Sequence, residues 1–231
     1  MRLLRLLLCC VASLATASSV LQGQTEDPSP RPSYDPSEGY LPYHQLTTDD
    51  FPIREDPDAK KAAWIEVFLI YKYGYQLSAR DGWFFAYVTE WNVRSGLNRN
   101  KSYRKRSLLP ADFPLSYFQG FLDLNELHAH RLAAMKPGEL PSGRGAGREA
   151  AEKSLAENLG ALHHQVLTDR DVEFDTYAAV TQKGGDKKRI QVSTKDLKQR
   201  LKKAGIGDNA LASPAVENSS GPPQQKEAPK N

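Results

Sequence analysis

Two apolar periods divide the chain, one suited to strands and the other to helices. From Trp64 to Leu77, apolar and aromatic residues alternate in part with polar ones (Trp64, Val67, Leu69, Tyr71, Tyr73, Tyr75). β-Branched and aromatic side chains in such a pattern fit a pleated, half-buried strand. Trp83 to Val93 repeats it, with Phe85, Tyr87, Thr89 and Trp91 on one face. Between the two runs, Ala79-Arg80-Asp81-Gly82 has the Asp-Gly chemistry of a tight turn, so the segment predicts a β-hairpin. Gly96 to Arg106 reads as a polar, basic connection.

Beyond it the period lengthens. Leu115 to Met135 keeps apolar residues at helical spacing (Leu115, Phe118, Leu122, and Phe121, Leu124, Leu127, Leu132) and stops at Pro137-Gly138. Pro141 to Gly147 is expected to be a flexible loop. Glu149 to Thr168 predicts a second helix striped by Leu155, Leu159, Leu162, Val166 and Leu167. Ser193 or Thr194 is the expected cap of a short amphipathic helix, Lys195 to Lys203. A hairpin followed by a helical half predicts an α+β domain with an antiparallel sheet.

The ends have a different character. Arg2 and Arg5, an apolar stretch from Leu3 to Leu14, and Ala15-Thr16-Ala17 form the three regions of a signal peptide, expected over residues 1–17. The apolar stretch is short for a helix crossing a bilayer core of about 30 Å, which disfavours the alternative of a retained anchor. Residues 18–42 are rich in Pro, Ser and Asp and read as a disordered linker. Residues 204–231 read as a disordered tail, and 43–203 as one folded domain. Cleavage removes Cys9 and Cys10, the only two cysteines, and with them any thiolate site or disulfide. It also lowers Lys+Arg from 31 to 29 against 28 acidic residues, a net charge of about +1. Nucleic acid is therefore not an expected partner. The expected location is secreted or periplasmic, with no transmembrane segment after cleavage.

Residues 115–132, Leu115-Ser116-Tyr117-Phe118-Gln119-Gly120-Phe121-Leu122-Asp123-Leu124-Asn125-Glu126-Leu127-His128-Ala129-His130-Arg131-Leu132, resemble a family motif. The family comprises bacterial secreted proteins of unknown function predicted to be zinc-dependent proteases. Its helix runs approximately L-x-H-E-Q-G-H-F-D-I-A-E-L-x-A-R-x-L. Gln119, Gly120, Asp123, Glu126, Leu127, Ala129 and Leu132 match it. Leu46-Thr47-Thr48-Asp49-Asp50-Phe51 resembles the family's L-T-W-D-D-F, and Phe174-Asp175-Thr176 with Gln182 resembles its later Y-D-x-x-T…Q segment. The resemblance implies a zincin-like fold over nearly the whole domain.

It does not carry the activity. In H-E-x-x-H, two histidines on one helical face hold zinc and the glutamate activates the metal's water. Tyr117, Phe118 and Phe121 stand at those positions, and phenylalanine neither ligates a metal nor accepts a proton. Gln119, Gly120, Asp123 and Glu126 remain as possible supports of the former site. Aromatic side chains at Tyr117 and Phe121 are expected to fill the cleft that a zincin leaves open, each buried ring contributing on the order of 2 kcal/mol.

The remaining chemistry is sparse. His128 and His130 are two residues apart and share no helical face, while His163 and His164 are adjacent. A rebuilt zinc site would draw on His128, one of His163 or His164, and Glu126, making a hydrolase the alternative function. Gly143-Arg144-Gly145-Ala146-Gly147 follows a helix and lacks the Lys-Ser/Thr of a phosphate loop, so it reads as a hinge. No serine sits in a nucleophile elbow. The basic runs Arg99 to Arg106 and Lys183 to Arg189 suit a solvated loop or an anionic partner. The hairpin has more rings than one face can bury, and the surplus suits a protein or sugar surface. Together these features predict an exported, non-catalytic binding or scaffolding protein of the cell envelope, with an envelope protein or polysaccharide as partner and no required cofactor.

Overall fold

The computed structural model describes residues 39–54 and 61–206. The expected signal peptide, most of the linker and most of the tail lie outside them. The described chain is mixed α and β, with antiparallel sheets and three α-helices. In chain order the strands are β1 Tyr40–Pro42, β2 Ala63–Trp64, β3 Val67–Arg80, β4 Trp83–Asn98, β5 Tyr103–Arg104 and β6 Gly143–Gly145. The helices are α1 Leu115–Ala133, α2 Arg148–Val180 and α3 Lys187–Lys203. In the larger sheet β4 lies between β1 and β3 and also pairs with β6; β2 and β5 form a separate two-stranded sheet. No described helix is long and apolar enough to cross a membrane.

The expected hairpin is present, and its turn has the geometry that Asp-Gly favours. Asp81 has φ 52° and Gly82 φ 77°, both left-handed, the conformation that matches the twist of flanking antiparallel strands. β3 keeps the expected length but lies three residues further along, at Val67–Arg80, and β4 is longer than the periodicity indicates. β4 runs on to Asn98, where Leu41 pairs with Leu97 and Tyr40 with Asn98, so the last residues of the expected linker are a strand.

The described chain forms two compact units, one of residues 71–93 and 132–168, the other of 39–54, 61–70, 94–131 and 169–206. β3, β4, α1 and α2 each contribute residues to both. In the first unit, Ala86 and Val88 of β4 pack with Ala151, Leu155 and Leu159 of α2. Tyr71, Tyr73, Tyr75 and Trp91 lean on that core, whereas Trp83 and Tyr87 remain about 40 % exposed. In the second unit, Phe51, Leu97, Phe113, Phe118 and Leu122 form the centre, joined by Leu197 and Leu201 of α3.

Four local expectations give way. Gly143 to Gly145 is not a hinge but β6, pairing Phe85 with Arg144, and the Arg144 guanidinium lies 4.0 Å from the Trp83 ring centroid. α2 continues past Thr168 to Val180. α3 begins at Lys187, because Asp186 caps it by accepting from Arg189 N at 3.0 Å. At the last described residues, Ala204 and Ile206 pack on the core, so the expected tail does not begin at 204.

Glycine at β6 has a packing cause. A Cβ on Gly143 would lie 2.1 Å from Ala151 O and 2.4 Å from Leu155 N. Gly143→Val is expected to lower stability by about 2–3 kcal/mol through overpacking. Gly138→Ala, where a Cβ meets nothing within 4 Å, should change it by less than about 0.5 kcal/mol. Reversible denaturation of both variants measures the difference.

Candidate functional site

α1 places its polar and aromatic residues by helical phase. Gln119 and Asp123, one turn apart, are buried, with relative exposures of 3 % and 2 %. Such groups are stable inside only when their hydrogen bonds are made. Gln119 Oε1 accepts from Leu46 N at 2.8 Å and from Gln45 Nε2 at 3.0 Å. Its Nε2 donates to Asp123 Oδ1 at 2.8 Å and to His44 O at 3.3 Å. Tyr43 donates to the same Asp123 oxygen at 2.9 Å. Burial raises the Asp123 carboxyl above its ordinary range, against the hydrogen bonds from Gln119 and Tyr43. Burial and then the Asp123 charge raise the Tyr43 phenol as well.

This network holds the stretch Leu46 to Phe51 against α1. Phe51 lies 5.4 Å from Phe118 and 4.7 Å from Phe113 between ring centroids. Beside it, buried His44 places Nδ1 2.7 Å from Pro42 O and Nε2 3.2 Å from Asp50 Oδ2. The bond to Asp50 raises His44 above its ordinary value, outweighing burial. Burial works to raise Asp50, but the bonds from His44 and Thr47 hold it low.

Tyr117, Phe118 and Phe121 do not fill a cleft solidly. Phe118 is buried, while Tyr117 and Phe121 are half-buried and border a cavity of about 840 Å³. Tyr117 stacks on Tyr177 at 5.6 Å and 14°. Phe121 meets Phe174 edge-on at 5.1 Å and Tyr177 at 5.2 Å. Gly120 permits this approach, because a Cβ there would lie 2.3 Å from Tyr177 Cζ. Across the cavity Trp64 is 37 % exposed, with Lys61 Nζ 3.7 Å from its ring centroid. Arg170, Asp171, Asp175 and Lys183 also line it. Tyr117, Phe118 and Phe121 offer no set of donors that fits a zinc ion.

The other histidines have separate surroundings. His128 Nε2 is buried 3.3 Å from Glu173 Oε1, without the alignment of a hydrogen bond, and burial pushes its pKa down. Arg200 Nη2 and Arg131 Nη1 approach the same glutamate at 2.6 Å and 3.4 Å. Glu126 accepts from Ser95 Oγ, and burial raises its carboxyl. His163, in the other unit, lies edge-on to Tyr71 at 5.0 Å, and His164 is exposed. Among the described residues no three His, Cys, Asp or Glu side chains form a group suited to a metal. Arg99 and Arg104 of the first basic run bond to the backbone at Asp49 and Leu108.

Sequence reasoning missed Trp64 and Arg170 as cavity residues. It also missed Asn125, fully buried, which donates to Phe68 O at 2.7 Å and accepts from Arg170 Nη1 at 3.1 Å. A polar residue inside the apolar run of α1 was its available signal. No known protein family, characterised protein or solved structure matches the chain.

Two outcomes are expected from this network. Gln119→Leu strands the Leu46 amide and removes both Gln119 contacts to residues 44 and 45. Its expected cost is about 2–4 kcal/mol. Asp123→Asn keeps an acceptor for Tyr43 and Gln119 while removing a buried charge, and should cost less than about 1 kcal/mol at neutral pH. Chemical denaturation separates the two.

The pH dependence has a defined sign. His44 is raised above 6.5 when folded, so its contribution is complete below that value and is lost as pH rises through the folded pKa. Asp50 is lowered from 3.8, so its contribution is present above that value and is lost as pH falls through the depressed pKa. His44→Gln is expected to remove a loss of stability that sets in as pH rises above 6.5, measured by urea midpoints.

Proposed function

We propose that this chain is an exported, non-catalytic binding protein of the cell envelope, built on a zincin-like scaffold and taking its ligand in the cavity beside α1. The observation that carries this reading is the position of Tyr117, Phe118 and Phe121. The residues that stand where the resembling family has histidine, glutamate and histidine border an open cavity of about 840 Å³. That volume suits a small-molecule or side-chain site, and its wall offers rings in place of metal ligands and a base.

Contacts among the three motif stretches support the scaffold. Gln119 holds Leu46, Phe51 packs on Phe118, and Phe174 packs on Phe121. Stretches separated by many residues thus meet around one helix, as parts of a single ancestral site would. Gln119, Gly120 and Asp123 have structural roles there: two bind the segment before β2 and one admits Tyr177. The cavity's flat apolar walls and charged edge suit a ligand with an apolar face and polar rim. A sugar ring of an envelope polysaccharide or a side chain of an envelope protein has that form.

Trp64 supplies the probe. Cell-wall oligosaccharides and short peptides titrated into the protein are expected to produce a saturable change in its emission, absent from Trp64→Phe. Phe121→Ala and Phe174→Ala should weaken that response by about tenfold or more, the scale of a lost aromatic contact. Metal analysis of untagged protein provides the opposing outcome: stoichiometric zinc that leaves on His128→Ala would replace this reading with the alternative of a metal-dependent hydrolase.

A further inference from the structure

Charge is distributed unevenly along the chain. α3 contains eight Lys or Arg and one Asp in 17 residues, a formal +7. The described residues outside α3 hold 17 Lys or Arg against 17 Asp or Glu, a net charge of zero. One face of α3 is committed to the core through Ile190, Leu197 and Leu201. The others hold exposed Lys187, Lys188, Lys195, Lys198, Lys202 and Lys203, and none of these six has an ion-pair partner among the described residues.

Three of the lysines line a second cavity. Lys195, Lys198 and Lys202 follow helical spacing along one stripe and border about 620 Å³ together with Tyr43, Leu201 and Ile206. Thr194 lines it too, and its hydroxyl is shielded from solvent without a hydrogen-bond partner. Cationic groups therefore lie beside an apolar floor. On the neighbouring stripe, Val192 is 70 % exposed between Lys188 and Lys195 in helical phase. α3 has no aromatic ring on which a nucleobase would stack.

We propose that α3 is a docking face for an anionic phospholipid surface, with a headgroup phosphate seated among Lys195, Lys198 and Lys202 and Val192 entering the interfacial layer. Charge complementarity selects the occupant: the +7 helix is drawn to a negative surface, and the described residues outside α3 are net neutral and add no competing positive face. The apolar floor and the exposed valine suit an amphiphile better than a soluble polyanion. This face is separate from the cavity at Tyr117 and does not depend on what occupies that cavity.

The test is sedimentation of the purified protein with vesicles of phosphatidylcholine alone or with about a third phosphatidylglycerol, at low and at near-physiological salt, over which surface electrostatics weaken. Binding is expected only to the anionic vesicles and should weaken with salt. The triple substitution Lys195→Glu/Lys198→Glu/Lys202→Glu is expected to reduce partitioning about tenfold or more. Lys72→Glu/Lys101→Glu/Lys136→Glu, an equal charge change at exposed lysines elsewhere, should reduce it less than about twofold, and arginine at the three α3 positions should retain it. Unchanged circular dichroism checks that the variants fold. Equal loss in both glutamate triples would overturn the proposal, as would equal binding to both vesicle types or binding to heparin without binding to vesicles.

Discussion

One buried carboxamide organises the unit that contains the candidate site. Gln119 uses both ends of its amide, accepting from Leu46 N and Gln45 Nε2 and donating to Asp123 and the His44 carbonyl. Each bond alone stabilises by about 1 kcal/mol net, but an unmade bond at a group this buried costs more than that. The amide therefore constrains position more than it adds stability. With residues 44–46 fixed, Phe51 lies on Phe118 and Phe113, and the core around Leu122 is closed on that side. Asp123 is tolerated in the same interior because Tyr43 and Gln119 supply its donors. Removing either donor would leave a buried carboxyl with less compensation than the site provides.

Much of the fold was legible because local chemistry and tertiary packing agree. Asp81-Gly82 tolerates two successive left-handed residues, and the structure uses both. α1 has an apolar period that its surroundings satisfy. The misses fall where a polar residue does structural work inside an element. The stripe of α2 continues beyond Leu162 and Val166 through Arg170 to Phe174 and Tyr177, but Arg170 resembles a break in sequence. Its guanidinium is satisfied by Asn125 Oδ1 and lies 5.1 Å from the Phe174 ring centroid, which lets the helix continue. At α3 the first turn is Lys-Lys-Arg, with no apolar residue to set a period until Ile190, so Asp186 was not evident as the cap.

The division into two units had no sequence signal because it follows no linker. β3, β4, α1 and α2 are covalently continuous through it, and their hydrophobic patterns do not pause there. β6 was hidden for a related reason. Gly143 and Gly145 look permissive in sequence, yet their lack of a side chain admits Ala151 and its neighbours. Glycine there marks close packing, not freedom. The histidines show the opposite ambiguity: His44 and His128 are both buried, but one is raised by Asp50 and the other is pushed down by burial despite Glu173. Only placement distinguishes them.

The same distinction governs the candidate site. A cluster of rings makes a solid core only where every ring finds a complementary surface. Phe118 does, against Phe51 and Phe113, and it is buried. Tyr117 and Phe121 instead pair with Tyr177 and Phe174 on one side and face open volume on the other. Apolar surface left open beside charged groups costs free energy in water, and a ligand that covers it recovers part of that cost. A side chain on the cavity rim also restrains rotation less than one in a packed core. The aromatic positions on α1 thus divide by helical phase: Phe118 closes the core and meets the cavity only at its edge, while Tyr117 and Phe121 shape its wall.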